Sequence, residues 1–156
     1  IMVTTSDDIT GTEYAAMLKN CYAIAAGIAH GLGYGDNFMS VLMSNSIREM
    51  KKFISSIHEM KRNINNSEYL GDLLVTGYSS FSRNRKLGVM LGKGYNIKDA
   101  LLEMNMIAEG YYGSESASRI KKKFRSDTPI LDTVHSIMYK NTNSKKAFKR
   151  LESKLD

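Results

Sequence analysis

The chain has 156 residues, the length of one ordinary domain, and its 42% hydrophobic and 24% charged content fits a globular class and excludes a disordered or fibrous one. Twenty-two basic residues against sixteen acidic ones leave a net charge of +6, which admits nucleic acid, an anionic membrane or a phosphorylated ligand as partner. A lone cysteine, Cys21, excludes an internal disulfide and fits a reducing compartment. No signal peptide is legible, and Lys19, Asn20 and His30 break the best apolar run, so no membrane span is expected and the location is expected to be cytoplasmic.

The first residue is Ile1, and the stretch MVTT (Met2 to Thr5) is the only strand-like signal. Thr12 with Glu13 opens a first helix that ends at Gly31, Gly33 and Gly35. Asp36 or Asn37 caps a long second helix, whose apolar positions Val41, Leu42, Ile47, Met50, Phe53, Ile54 and Ile57 recur at three and four. The polar break KRNINNSE leads to a short helix around Tyr69 to Leu74. Ser82 is a good N-cap for RNRKLGVMLGKG, and Asn96 for IKDALLEM. IAEGYYG reads as a non-helical crossing, after which Ser114 or Ser116 opens a basic amphipathic helix to about Arg125. Asp127-Thr128-Pro129 starts the next helix, ILDTVHSIMYK, and a last short one carries Ala147, Phe148 and Leu151. The expectation is an all-α domain of seven or eight helices with no internal repeat.

Most basic groups, Lys61-Arg62 among them, are interleaved with apolar residues and read as solvated helix faces. His30, His58 and His135 are scattered and lack the paired spacing of a zinc helix, so no metal site is expected. GLGYGD follows a helix instead of a strand, which excludes a dinucleotide fingerprint there.

Two stretches carry chemistry. In TGTEYAAMLKNCYAIAAGIAHGLG, Lys19 and Asn20 interrupt an otherwise apolar helix. Burial disfavours an ammonium and makes a lysine a useful proton acceptor, and the small side chains of Ala15, Ala16 and Ala23 on the same face leave a hollow above the amine. The plain alternative is a lysine that snorkels outward or pairs with an acid. In SFSRNRKLG, Ser82 caps a helix whose first turn holds Arg83, Asn84, Arg85 and Lys86. Free backbone N–H groups and guanidinium forks converge there, a pattern suited to phosphate, and cations at a helix N-terminus add little to folding. The alternative is a solvated turn.

Together EYAAMLKNCYAIAAGIAHGLGYGDN, LGDLLVTGYSSFSRNRKLG and IAEGYY resemble, in order and spacing, the C-terminal domain of bacterial-type NAD(P)-dependent glycerol-3-phosphate dehydrogenases, over Thr4 to about Tyr139. The resemblance implies a multi-helical substrate domain like the C-terminal domain of 6-phosphogluconate dehydrogenase-type enzymes, spanning residues 1–156, with its Rossmann domain upstream and absent here. Lys19 then matches the catalytic lysine that exchanges a proton with the C2 oxygen of glycerol 3-phosphate or dihydroxyacetone phosphate. Arg83 and Asn84 match the phosphate-gripping pair, with Ser82 beside them. Asp72 matches a substrate-binding aspartate, and Asn20 and Thr76 match polar residues of the same pocket. Ile107 and Glu109 match positions that touch the NAD or NADP cofactor from this side, and Arg83 can reach it too. The implied protein is a cytoplasmic homodimer that feeds glycerophospholipid synthesis, with no nucleic-acid partner and no membrane span expected.

Two departures stand out. Ser67-Glu68-Tyr69 replaces small, glycine-rich residues before LGD, and no GxGxxG follows a strand anywhere in the chain. The chain alone is therefore expected to be inactive. Two other readings are a substrate domain for a different phosphorylated hydroxy compound and a non-enzymatic basic helical module.

Overall fold

The computed structural model of the chain describes residues 5–156. Eight α-helices are present among them, with no strand: α1 (Ile9–Gly31), α2 (Asp36–Ile57), α3 (Asp72–Tyr78), α4 (Arg83–Gly92), α5 (Ile97–Glu103), α6 (Glu109–Phe124), α7 (Pro129–Tyr139) and α8 (Ser144–Glu152). A single π-helical turn, Ser67–Gly71, runs straight into α3. The strand-like signal falls, apart from Thr5, outside the described residues.

Helix α1 is the central post. From Tyr22 to Ala29 its side chains are fully buried, and it packs against α2, α3, α4, α6 and α7. That explains an alanine-rich segment flanked by Ile24 and Ile28: a helix surrounded on all sides must be apolar all round and narrow where neighbours approach. It begins three residues earlier than Thr12, because Asp8 provides the cap by accepting the Gly11 N–H at 2.9 Å. It ends at Gly31, and Gly33 (φ 87°) takes the left-handed turn that follows.

Helix α4 crosses α1 at backbone contact. A Cβ on Gly27 would stand 2.1 Å from the Arg85 carbonyl oxygen, and one on Gly88 would stand 2.1 Å from the Ile24 carbonyl oxygen. Gly31 and Gly92 repeat the arrangement one turn on. Two Gly-x3-Gly pairs thus lay one helix in the groove of the other, which sets how far the first turn of α4 stands from α1.

Helix α6 starts at Glu109, not at Ser114 or Ser116, and EGYYG is its first turn, not a non-helical crossing. Glycine weakens a helix in isolation, but here a Cβ on Gly110 would lie 2.6 Å from the Asn20 carbonyl oxygen. Gly113 faces Met17 less tightly, a Cβ there lying 3.3 Å from Met17 Cγ, and the two glycines are the contact by which α6 closes on α1.

The rest of the fold follows amphipathic faces. In α2, Met39, Leu42, Met43, Met50, Phe53 and Ile54 are buried, while Val41 stands exposed. Gly35, not Asp36 or Asn37, holds the cap position of that helix and supplies no side-chain bond. Helix α7 starts at Pro129 as expected, but its free N–H groups are satisfied from a distance: Glu49 of α2 accepts from Ile130 at 2.8 Å and from Leu131 at 3.0 Å. Burial pushes the Glu49 carboxyl up to about 7, and the two amide bonds only partly oppose this.

Arg62 is another correction. It is not part of a solvated face: its side chain is 2% exposed and is held by Asp8, with Nε at 2.6 Å from Oδ2 and Nη2 at 3.2 Å from Oδ1. Tyr69, buried in the π turn, donates its hydroxyl to the same carboxylate. The Ser67-Glu68-Tyr69 departure thus has a structural purpose, since Tyr69 ties the turn that precedes Asp72 to the start of α1.

Candidate active site

Lys19 points out of α1 toward the first residue of α3, and its Nζ lies 2.6 Å from Asp72 Oδ2. The two side chains are 23% and 39% exposed, so the pair is open to solvent on one side. The hollow expected from three alanines is not there. Ala15 and Ala23 are buried in the core and only Ala16 faces solvent, so the three do not share one open face above the amine. Asp72, not a ring of small neighbours, positions the amine. One turn on, Thr76 donates its hydroxyl to the Asp72 carbonyl at 2.7 Å, leaving its oxygen free to accept.

Asn20, the next residue of α1, connects this pair to the second group. Its Nδ2 donates to the Ala16 carbonyl at 3.2 Å and to Glu109 Oε2 at 3.3 Å, while its Oδ1 accepts from Asn84 Nδ2 at 2.9 Å. Asn84, only 7% exposed, accepts the Gly110 N–H at 2.9 Å. Its carboxamide therefore fastens α1, α4 and α6 together and keeps one N–H to offer elsewhere. Ser82 caps α4 as the sequence predicts, accepting the Arg85 N–H at 3.3 Å. Arg83, the first residue of that helix, is 41% exposed and lies 3.8 Å from Glu109 Oε1. Ile107 precedes this turn with 63% of its surface open.

Lys19, Asp72 and Thr76 thus form one group, and Arg83, Asn84, Asn20 and Glu109 form another. They meet at the Lys19–Asn20 step of α1. Ser82 supports the second group through the α4 cap, and Ile107 flanks it without a hydrogen bond to it. Beside Arg83 a cleft of about 490 Å³ opens between α4 and the segment after α5, walled by Arg85, Lys86, Met90, Met104 and Met106. Sequence reasoning missed that cleft and the glycines that frame the site. The signal for the glycines was present as Gly27-x3-Gly31 and Gly88-x3-Gly92.

What the arrangement offers is an amine held by a carboxylate, and, past a partly buried amide pair, a guanidinium at a helix start. A small molecule with a hydroxyl or carbonyl at one end and a phosphate at the other has that layout. A family model described as the C-terminus of NAD-dependent glycerol-3-phosphate dehydrogenase matches residues 8–149. The chain belongs to that family. It is 38% identical over 149 residues to glycerol-3-phosphate dehydrogenase (NAD(P)+) of Fusobacterium nucleatum, covering 96% of this chain and 44% of that protein. The corresponding protein of Staphylococcus carnosus is 35% identical over 151 residues, covering 97% and 46%. The crystal structure of glycerol-3-phosphate dehydrogenase from Coxiella burnetii superposes with a TM-score of 0.90 at 30% identity, over 94% of this chain and 45% of that one. The chain thus spans a little under half the length of these glycerol-3-phosphate dehydrogenases and corresponds to their C-terminal, helical part. None of its helices among the described residues is long and apolar enough to cross a membrane.

Proposed function

We propose that this chain is the substrate domain of a glycerol-3-phosphate dehydrogenase, interconverting glycerol 3-phosphate and dihydroxyacetone phosphate when joined to a dinucleotide-binding domain. The observation that carries the reading is the meeting of the 2.6 Å Lys19–Asp72 pair with Arg83 at the capped start of α4, through Asn20 and Asn84. Arg83 takes the phosphate through its guanidinium, helped by the remaining N–H of Asn84 and the hydroxyl of Ser82. With the phosphate there, the C2 oxygen lies toward Lys19. In the oxidising direction Lys19 accepts the hydroxyl proton; in the reducing direction it returns a proton to the carbonyl oxygen. Asp72 holds the amine in register, and Asn20 and Thr76 line the same side.

NAD or NADP, when bound, supplies the hydride chemistry. Arg83 and Glu109 are exposed side by side and fit one flank of such a cofactor, offering a cation to its phosphates and a carboxylate to its ribose hydroxyls. Ile107 gives an apolar contact next to them. The chain has no GxGxxG of its own, so most of the cofactor's binding falls to the dinucleotide-binding domain. A cytoplasmic homodimer that supplies glycerol 3-phosphate to lipid synthesis completes the reading.

The test is a chimera of this chain with the N-terminal half of the Fusobacterium nucleatum relative, assayed for dihydroxyacetone phosphate reduction with NADH and NADPH. Turnover that falls about 10²–10⁴-fold on Lys19→Ala, the usual contribution of a general acid–base group, is the expected result. Turnover that survives the substitution removes Lys19 from the reaction.

A further inference from the structure

Glu109 stands where an anion would be expected, and the surrounding bonds explain how it is held. Its Oε1 lies 3.8 Å from Arg83 Nη2, and its Oε2 accepts from Asn20 Nδ2 at 3.3 Å. Asn20 has little freedom to point its N–H groups elsewhere, because Asn84 Nδ2 occupies its oxygen at 2.9 Å. Asn84 in turn takes the Gly110 N–H at 2.9 Å in a buried bond. The backbone at the start of α6 is therefore pinned, and a Cβ on Gly110 would already meet the Asn20 carbonyl oxygen. The Glu109 side chain on that pinned backbone is 69% exposed. A free carboxylate arm thus projects from a fixed shoulder onto Arg83, the donor that anchors an arriving phosphate, and onto Asn20 beside it.

Charge at the two helix starts points the same way. Arg83, Arg85 and Lys86 crowd the first turn of α4, where the helix dipole disfavours cations. Glu109 opens α6, where an acid is favoured, and it lends its charge across the gap to Arg83. A carboxylate is a monoanion with the two-oxygen geometry that guanidinium accepts. An exposed ion pair of this length is weak, so a phosphate dianion can displace it.

We propose that Glu109 is a displaceable stand-in for the substrate's phosphate. It occupies the Arg83–Asn20 donor pair, weakens anion binding there, and must swing off its pinned backbone before a phosphate seats. This rests on the reading of Arg83 as phosphate anchor. Glu109 acts through Arg83 and Asn20, and is in that respect a positioning residue.

The experiment titrates inorganic phosphate into the isotope-labelled 156-residue chain at low ionic strength. The Asn84 and Gly110 amide signals are followed in the unsubstituted chain, Glu109→Gln, Glu103→Gln, Arg83→Ala and the Arg83→Ala/Glu109→Gln double variant. Glu103 lines the cleft beside Arg83 and controls for loss of a negative charge nearby. Glu109→Gln is expected to tighten phosphate about two- to fivefold, the range of an exposed ion pair. Glu103→Gln should change it much less, and the gain should vanish in the double variant. Equal affinity in the unsubstituted chain and Glu109→Gln, with binding still dependent on Arg83, overturns the stand-in and leaves the anchor standing. Equal gains from both glutamine variants also overturn it, as a general charge effect. No binding even in Glu109→Gln, or binding indifferent to Arg83→Ala, removes the anchor reading and the stand-in with it.

Discussion

The ion pairs Arg62–Asp8 and Lys19–Asp72 share an N···O distance of 2.6 Å and little else. Arg62–Asp8 is sealed, with side chains 2% and 5% exposed, while Lys19–Asp72 is 23% and 39% exposed. Asp8 spends both oxygens: it takes two guanidinium bonds, the Gly11 N–H and the Tyr69 hydroxyl. The Arg62 guanidinium, with those other donors, holds the Asp8 carboxyl well below the usual carboxylate range, and burial only partly opposes it. Asp72 has the lysine as its side-chain partner and room for something else. Contact distance therefore does not separate a purely structural pair from the one proposed to handle substrate. Saturation of the acceptor and access from solvent do.

Substitution turns that comparison into numbers of different kinds. Lys19→Met should abolish 10²–10⁴-fold of turnover in the chimera described above while moving the thermal midpoint little, because an open pair contributes at most about 1 kcal/mol to folding. Arg62→Met should do the reverse. It leaves a buried, uncompensated carboxylate, which costs about 3–5 kcal/mol in denaturant unfolding. Its effect on turnover, measured where the variant is still folded, should be small. A Lys19→Met variant that unfolds as readily as Arg62→Met would dissolve the distinction.

A second contrast refines the first. Asp8 and Glu49 are both buried carboxylates that satisfy the N–H groups of a helix start, α1 and α7 respectively. Asp8 has a guanidinium and Glu49 has no cation among its hydrogen-bond partners, so their acidities move in opposite directions. For Asp8 the folded state prefers the charged form. Its contribution is present above the unfolded value near 3.8 and is lost as pH falls below it. For Glu49 the folded state keeps the proton up to about 7 while the unfolded chain releases it near 4.5. Stability from this group is therefore greatest below 4.5 and declines as pH rises from 4.5 to 7, by up to roughly 3 kcal/mol at 1.4 kcal/mol per pKa unit. Urea unfolding across pH 3–8 should show a maximum near pH 4, between the two unfolded-state values of 3.8 and 4.5. Glu49→Gln should flatten the limb between 4.5 and 7 and leave the acid limb intact. An unchanged upper limb would mean that Glu49 is not the group responsible.

These long-range pairs also mark the limit of what the sequence discloses. Helix periods, the Ser82 and Asn96 caps and the Pro129 start are local, and each appears where the sequence predicts it. Arg62 reads as solvated because its partner lies 54 residues away, and Glu49 serves N–H groups 81 and 82 residues distant. The crossing at EGYYG fails as a prediction for the same reason. Gly110 looks like a breaker until Asn20, 90 residues earlier by number, is known to lie against it. In the site, the residue types at Lys19 and Arg83 are legible locally, since an amine on an apolar helix and cations at a helix start are both out of place. Asp72 beside Lys19 and Glu109 beside Arg83 are not, because only the close glycine-lined packing of α4 and α6 on α1 brings those segments together.

The smallest expected effect tests whether exposure grades caps as it grades ion pairs. Ser82 and Asp8 each accept one N–H at the start of a helix, from Arg85 at 3.3 Å and from Gly11 at 2.9 Å. Ser82 is uncharged, half-buried and has no cation to leave behind. Ser82→Ala should therefore cost about 1 kcal/mol, the ordinary value of a side-chain cap, against several for disturbing the Asp8 cluster. The glycine-packed crossing with α1 lies further along α4 and still holds the helix in place, so phosphate affinity at Arg83 should weaken only modestly. A loss in Ser82→Ala as large as that in Arg62→Met would show that the start of α4 depends on its cap, and not on Gly27 and Gly88, to stand beside Lys19.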